Sequence, residues 1–292
     1  MGYIDLQRSF SAPDSGENDY SYLMLRRDNP YERTWQDILT SRIVVVLASA
    51  SSGKTEEFRH QAKLCAQKGV GVFCAIEELA DEDVEDVLSH DEVAGIRSWK
   101  QGEGEAHFFL DSVDEAKLAD KHGFRRALRK LRKYLGDHLG RANFVISCRP
   151  SDWNADEDAR LVADELAVEE WKMEPSPVSE PVLSNEEIDA RLVTPVLRDR
   201  SAGDLQKPEQ VHERNEYADL LDVWKLNPLR PAQQRKLACA TGDVTDGDAF
   251  MAAIAKSGLE AYAIRPGDLL SLAAYWRKHE NFGSLYEMVE AG

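Results

Sequence analysis

The sequence predicts a three-layer α/β sandwich around a parallel sheet, followed by a smaller all-helical domain. Two patterns carry that expectation. Between Arg42 and Pro150, short apolar runs rich in β-branched residues alternate with amphipathic stretches, and strands alternating with helices close into a parallel sheet covered on both faces. Beyond the proline-broken Glu174–Pro181 (EPSPVSEP), only helical spacing and turns follow, which sets a boundary near residue 180.

Residues 1–41 are expected to form an arm and a lead-in helix. The first thirty are polar and carry the turn-rich run SAPDSGEND, while Trp35, Ile38 and Leu39 then recur at helical spacing. Ile43–Leu47 is β-branched and bounded by polar residues, the signature of a strand buried on both faces. After a Gly/Ser turn, Phe58, Ala62 and Cys65 repeat at i, i+4 and i+7, predicting a helix over Thr55–Lys68 that Gly69 and Gly71 end. Val70–Ile76 is the second strand, and the acidic stretch Glu77–Ser98 is expected to be helical. His107–Leu110 forms a third strand ending at Asp111. Lys121–Leu139 puts Phe124, Leu128, Leu131 and Leu135 on one helical face, and Asn143–Cys148 is the fourth strand. These elements belong to a domain spanning 42–180. The remainder, 181–292, is expected to be a helical, lid- or winged-helix-like domain that restarts at Ser184, where Ser184 and Glu187 have capping-box spacing.

Composition narrows the function classes. With 42% apolar and 30% charged residues in 292, the chain can bury a full core. Its net charge of -17 argues against nucleic acid or an anionic membrane surface as the main partner. The longest apolar run, around Ile43–Ala48, is strand-sized, far below the ~20 residues of a membrane span. The opening MGYIDLQRSF lacks the apolar core of a secretory signal, so a cytoplasmic protein is expected. Cys65, Cys74, Cys148 and Cys239 have no CxxC spacing and sit among apolar neighbours, predicting reduced core thiols. No HExxH or other metal spacing occurs among the histidines, which argues against zinc.

Three segments carry chemistry. Ala48-Ser49-Ala50-Ser51-Ser52-Gly53-Lys54-Thr55 matches G-x-x-x-x-G-K-[ST] except at its first glycine, and it sits between a predicted strand and a predicted helix. In such a loop, backbone N–H groups and the helix N-terminus face phosphate anions. Gly53 admits close backbone approach, Lys54 supplies a point charge between the β- and γ-phosphates, and Thr55 offers a hydroxyl to Mg²⁺. Ala48 is expected to cramp the loop modestly. Next, Phe108-Phe109-Leu110 delivers Asp111 at a strand end, 57 positions after Lys54, placing a carboxylate to hold Mg²⁺ from the opposite side. Asp114 and Glu115, within a turn of it, are candidates for polarising an attacking water. Finally, Arg149 closes the strand Asn143–Cys148, a position from which a guanidinium can read a γ-phosphate.

Together these segments resemble the NACHT branch of the STAND signal-transduction ATPases. The likeness rests on the small residue after the magnesium aspartate and the acids beyond it (Asp111-Ser112-Val113-Asp114-Glu115), and on the strand ending in Arg149. It also rests on Gly258–Pro266 followed by the leucine-rich Asp268–Trp276, where Pro266 matches the proline such proteins place against the base. The resemblance spans about Arg42–Val289. It implies a core of five parallel strands, ATP or ADP with Mg²⁺, slow ATP hydrolysis, and homo-oligomerisation governed by nucleotide state. A protein trigger and a role in bacterial defence against phage belong to the same implication. So does preference for ATP, since no guanine-reading N-K-x-D motif occurs. A non-hydrolysing nucleotide-binding scaffold is the alternative from a different class, and a small-molecule kinase lacks an obvious acceptor lid.

Other features are read as bland. The eight basic residues of Lys121–Arg141 make a solvated face balancing the acidic Glu77–Glu92. Trp153 is expected to pack locally, while Trp35 is a candidate for the base side of the site.

Overall fold

A computed structural model describes residues 2–13, 32–168 and 220–282. Its centre is a six-stranded sheet: β1 (Phe10–Ser11), β2 (Ile43–Leu47), β3 (Val70–Ala75), β4 (Ala106–Asp111), β5 (Ala142–Cys148) and β6 (Asp222–Leu226). Across the sheet the order is β1-β6-β2-β5-β4-β3. Five strands are parallel, and only β1 pairs antiparallel, with β6. The α/β class is therefore as the alternating pattern predicts, with an antiparallel edge added.

Side-chain alternation divides the core. Ile43, Val45 and Leu47 point to one face, where they join Phe108, Leu110, Phe144 and Ile146. Val44 and Val46 point to the other, with Phe109 and Val145. A strand covered on both faces has no polar side to show, which explains the unbroken apolar run. The second face is covered by α1 (Trp35–Ile38) and α2 (Lys54–Ala66), whose Phe58 and Ala62 enter the core at helical spacing. The first is covered by α3 (Ile76–Asp81), α4 (Val84–Val87), α5 (His90–Gln101), α6 (Val113–Ala119), α7 (Gly123–Leu135) and α8 (Glu157–Leu166).

Several boundaries differ from the sequence expectation. The acidic stretch is helical in three pieces, α3, α4 and α5, and Ser89 starts the last of them in a capping box with Glu92. The basic helix is shorter: it ends at Leu135, where Gly136 takes φ 56° and a 3₁₀ turn runs over Gly136–Arg141. Residues 2–13 are not a loose arm. Leu6, Arg8 and Phe10 are buried, and β1 completes the sheet edge.

Nor is the region after residue 180 purely helical, since β6 lies beside β2 in register Val44↔Asp222 through Leu47↔Lys225. Its five residues, half-buried except at Leu226, give too short a pattern to stand out. The proline-broken segment and the helix expected at Ser184 lie outside the described residues. After β6 come α9 (Pro231–Ala240), α10 (Gly247–Lys256), α11 (Glu260–Ala263) and α12 (Pro266–His279). They share a separate core around Leu237, Phe250, Ile254, Ala263 and Leu269, into which Leu6 from the N-terminal segment inserts.

Cys74 and Cys148 are buried and Cys65 half-buried, all as free thiols, but Cys239 on α9 is exposed, a correction to its reading as a core residue. No helix among the described residues is long and apolar enough to cross a membrane.

Candidate phosphate-binding site

The loop Ala48–Gly53 links the C-terminal end of β2 to the N-terminus of α2. Ala48 belongs to the end of the strand. Its N–H extends the ladder to Cys148 O at 3.0 Å, and its methyl is 2% exposed within the core below the loop. The positive-φ positions are Ser51 (φ 60°) and Gly53 (φ 80°). A non-glycine in the left-handed region costs about 1–2 kcal/mol, and at Ser51 neighbouring contacts hold it there. Ser51 O accepts the Gly267 N–H at 2.9 Å, and Ser52 O accepts Arg8 Nη1 at 2.9 Å. A Cβ on Gly53 would meet Pro266 Cγ at 3.4 Å, an ordinary packing contact, so it is the left-handed backbone that calls for glycine there. The loop is thus gripped from outside by the N-terminal segment and the start of α12. The first N–H groups of α2 have no intrahelical acceptor, the arrangement that favours an anion.

Behind the loop, Thr55 meets Asp111. Thr55 Oγ1 donates to Asp111 Oδ2 at 2.6 Å, and Ser147 Oγ donates to Asp111 Oδ1 at 2.5 Å. Ser147 also accepts the Ser112 N–H at 2.8 Å, which fixes the left-handed turn at Ser112 (φ 70°) and starts α6. Because β5 lies between β2 and β4, its serine is what joins the loop strand to the acid strand. Ser147 is a residue the motif reading misses; its signal is a lone hydroxyl inside the apolar run NFVISC.

The two acids after Asp111 part company. Asp114 is fully buried, with Oδ1 3.2 Å from Lys54 Nζ and Oδ2 2.7 Å from Arg149 Nε. The second contact is an ion pair without hydrogen-bond alignment, leaving Oδ2 and Nε without a hydrogen-bond partner. Glu115 is exposed and lines the cavity beside the loop.

That cavity, about 650 Å³, falls within the range of small-molecule sites. It is lined by the loop residues Ser49–Thr55 with Glu115 and Arg149, by Tyr3, Arg8 and Glu57, and by the apolar side chains of Ile4, Leu6, Leu237, Pro266 and Leu270. Pro266 therefore lines the same cavity as Lys54. Trp35 does not: it packs against Phe10, Phe58 and Phe109 and donates Nε1 to Glu57 Oε2 at 3.0 Å. Trp153 packs against the first-face core, as expected.

The N-terminal segment is fastened over the loop by groups that sequence reasoning leaves out. Tyr3 donates its hydroxyl to Glu57 at 3.0 Å and stacks on His60 with ring centroids 3.6 Å apart. Arg8 is 4% exposed and donates Nη2 to Asn227 O at 2.6 Å besides holding Ser52 O. Burial pushes the Glu57 carboxyl above its usual range, although Arg8 and the hydrogen bonds from Trp35 and Tyr3 oppose it. Burial lowers the Arg8 guanidinium, with Glu57 opposing, and lowers the His60 imidazole. The sequence signal was the alternation Ile4, Leu6, Arg8, Phe10, masked by the turn-rich run after it.

A triphosphate with a divalent cation fits these residues. Ser52 Oγ is buried in the loop without a hydrogen-bond partner, and the cavity beside it is lined by both charged and apolar side chains. Compared with protein-family models and with curated proteins, the chain matches neither.

Proposed function

We propose that this chain is a nucleoside-triphosphate-operated switch of the NACHT kind within the STAND ATPases, with slow hydrolysis. The observation that carries the reading is the 2.6 Å contact between Thr55 and Asp111 beneath a strand–loop–helix turn of the G-x-x-x-x-G-K-[ST] type. Thr55 and Asp111 would hold Mg²⁺, which when bound supplies charge neutralisation at the phosphate oxygens. Lys54 and the loop amides bind the phosphates, and Arg149, which lines the same cavity, contacts the terminal one. Ile4, Leu6, Leu237, Pro266 and Leu270 provide an apolar surface for the base.

Ligand contacts from the loop, the N-terminal segment and α12 at once give the switch its logic. A molecule touching Lys54 and Pro266 stabilises whichever arrangement of these elements it fits best. Coupling to homo-oligomerisation and to a protein trigger is part of the same proposal, as is a cytoplasmic setting with ATP or ADP as ligand. Of the two candidate bases, Glu115 faces the cavity and is assigned to orienting water, whereas Asp114 is engaged by two cations. That engagement favours, as a second reading, a non-hydrolysing nucleotide-binding scaffold.

Phosphate release under steady state separates the two. The switch reading expects slow, Mg²⁺-dependent release that Glu115→Gln reduces about a hundredfold or more, the loss typical of a general base. Equal silence of wild type and variant, with nucleotide demonstrably bound, would favour the scaffold.

A further inference from the structure

Asp114 holds both cations that a phosphate site needs. Its carboxylate sits between Lys54 Nζ at 3.2 Å and Arg149 Nε at 2.7 Å, with its own side chain fully buried and that of Lys54 10% exposed. The two positive groups come from different elements, the first residue of α2 and the end of β5. Asp111 adds a second negative group nearby, already satisfied by Thr55 and Ser147. Lys54 and Arg149 thus already share one carboxylate before any phosphate is considered. A phosphate oxygen approaching Lys54 approaches Asp114 as well, and like charges a few ångströms apart repel strongly where water is scarce. The geometry of the second contact has the same sense: Oδ2 and Nε are close but misaligned, so Arg149 has a hydrogen bond to gain elsewhere. Its side chain is 38% exposed and lines the cavity, so it is free to turn toward a ligand.

We infer that Asp114 is a positioning residue and built-in competitor for phosphate: it holds Lys54 and Arg149 in place at the cost of ligand affinity, and phosphate binds by drawing the two cations away from it. This rests on the phosphate-site reading above and adds a control on how tightly the site closes. A site of this kind releases its ligand more readily than the same loop without the acid.

The test is calorimetric titration of Mg·ADP, and separately of inorganic phosphate, into the full chain and into Asp114→Asn. The amide keeps the shape and one acceptor for Lys54 but removes the charge. Affinity for both probes is expected to rise roughly tenfold, the size of effect that one unit charge a few ångströms away exerts at a partly solvated site. Asp114→Glu, which keeps the charge, should stay near wild type. Should the single amide variant fail to fold, Arg149→Gln/Asp114→Asn removes the orphaned cation with the acid, and it must still bind Mg·ADP more tightly than Arg149→Gln alone. Wild type binding Mg·ADP with Asp114→Asn no tighter overturns the competitor while leaving the nucleotide site standing. Silence of wild type and all variants overturns both, whereas binding by Asp114→Asn alone supports the competitor.

Discussion

Two arginines flank the phosphate loop, and they are used in opposite ways. Arg8 is buried, and its guanidinium is committed to two backbone carbonyls, Ser52 O in the loop and Asn227 O after β6. It joins the N-terminal segment, the loop and the chain leaving β6 into one piece. Arg149 is more than a third exposed, faces the cavity, and holds a carboxylate without hydrogen-bond alignment. Proximity to a loop therefore does not define an arginine's role; what its donors already hold does. Arg8 is a clamp, and Arg149 is available to a ligand.

The largest effect that would break this contrast is on stability. Arg8→Met should cost about 2–3 kcal/mol in urea unfolding, since it abandons two carbonyls bonded to a charged donor. Arg149→Met should cost about 1 kcal/mol or less, because Asp114 retains Lys54 and the arginine is partly solvated. If the two costs came out reversed, the assignment of clamp and reader would be wrong. The next largest effect concerns the ligand: Arg149→Met should weaken Mg·ATP binding roughly tenfold by calorimetry, as loss of a charge-assisted phosphate contact does.

A smaller effect probes the left-handed turn of the loop. Gly53→Ala forces a side chain into φ 80°, so it should lower stability by about 1 kcal/mol in the same unfolding assay. The smallest concerns pH. His60, stacked on Tyr3, is lowered by burial from its ordinary value of 6.5. The unfolded chain then binds the proton more readily, so stability is fully present above about 6.5 and is lost as pH falls toward the folded-state value. His60→Gln should flatten that decline in thermal melts taken between about pH 7 and pH 5.

The contrast also explains what the sequence could disclose. Arg149 was legible because it ends a β-branched run, and strand ends in such sheets are where ligands gather. The meeting of Thr55 with Asp111 was legible because a strand–loop–helix turn and a strand-end acid in one parallel sheet come together at the same edge. Arg8 was not, since its role depends on carbonyls 44 and 219 positions away. β6 escaped for a related reason: a short strand at Asp222–Leu226 becomes a strand by pairing with β2 and β1, and nothing within four half-buried residues and one buried leucine announces that pairing. Ser147 likewise reads as an ordinary strand residue until β5 is seen between β2 and β4. Local periodicity specified the central strands, and tertiary partners specified the clamp, the edge and the bridge.

The most direct measurement is titration of Mg·ATP into the wild-type chain and Lys54→Ala, followed by calorimetry. Saturable binding at one site per chain in the first and none in the second is the predicted result. Undiminished binding by Lys54→Ala, or no heat from the wild type, would contradict it.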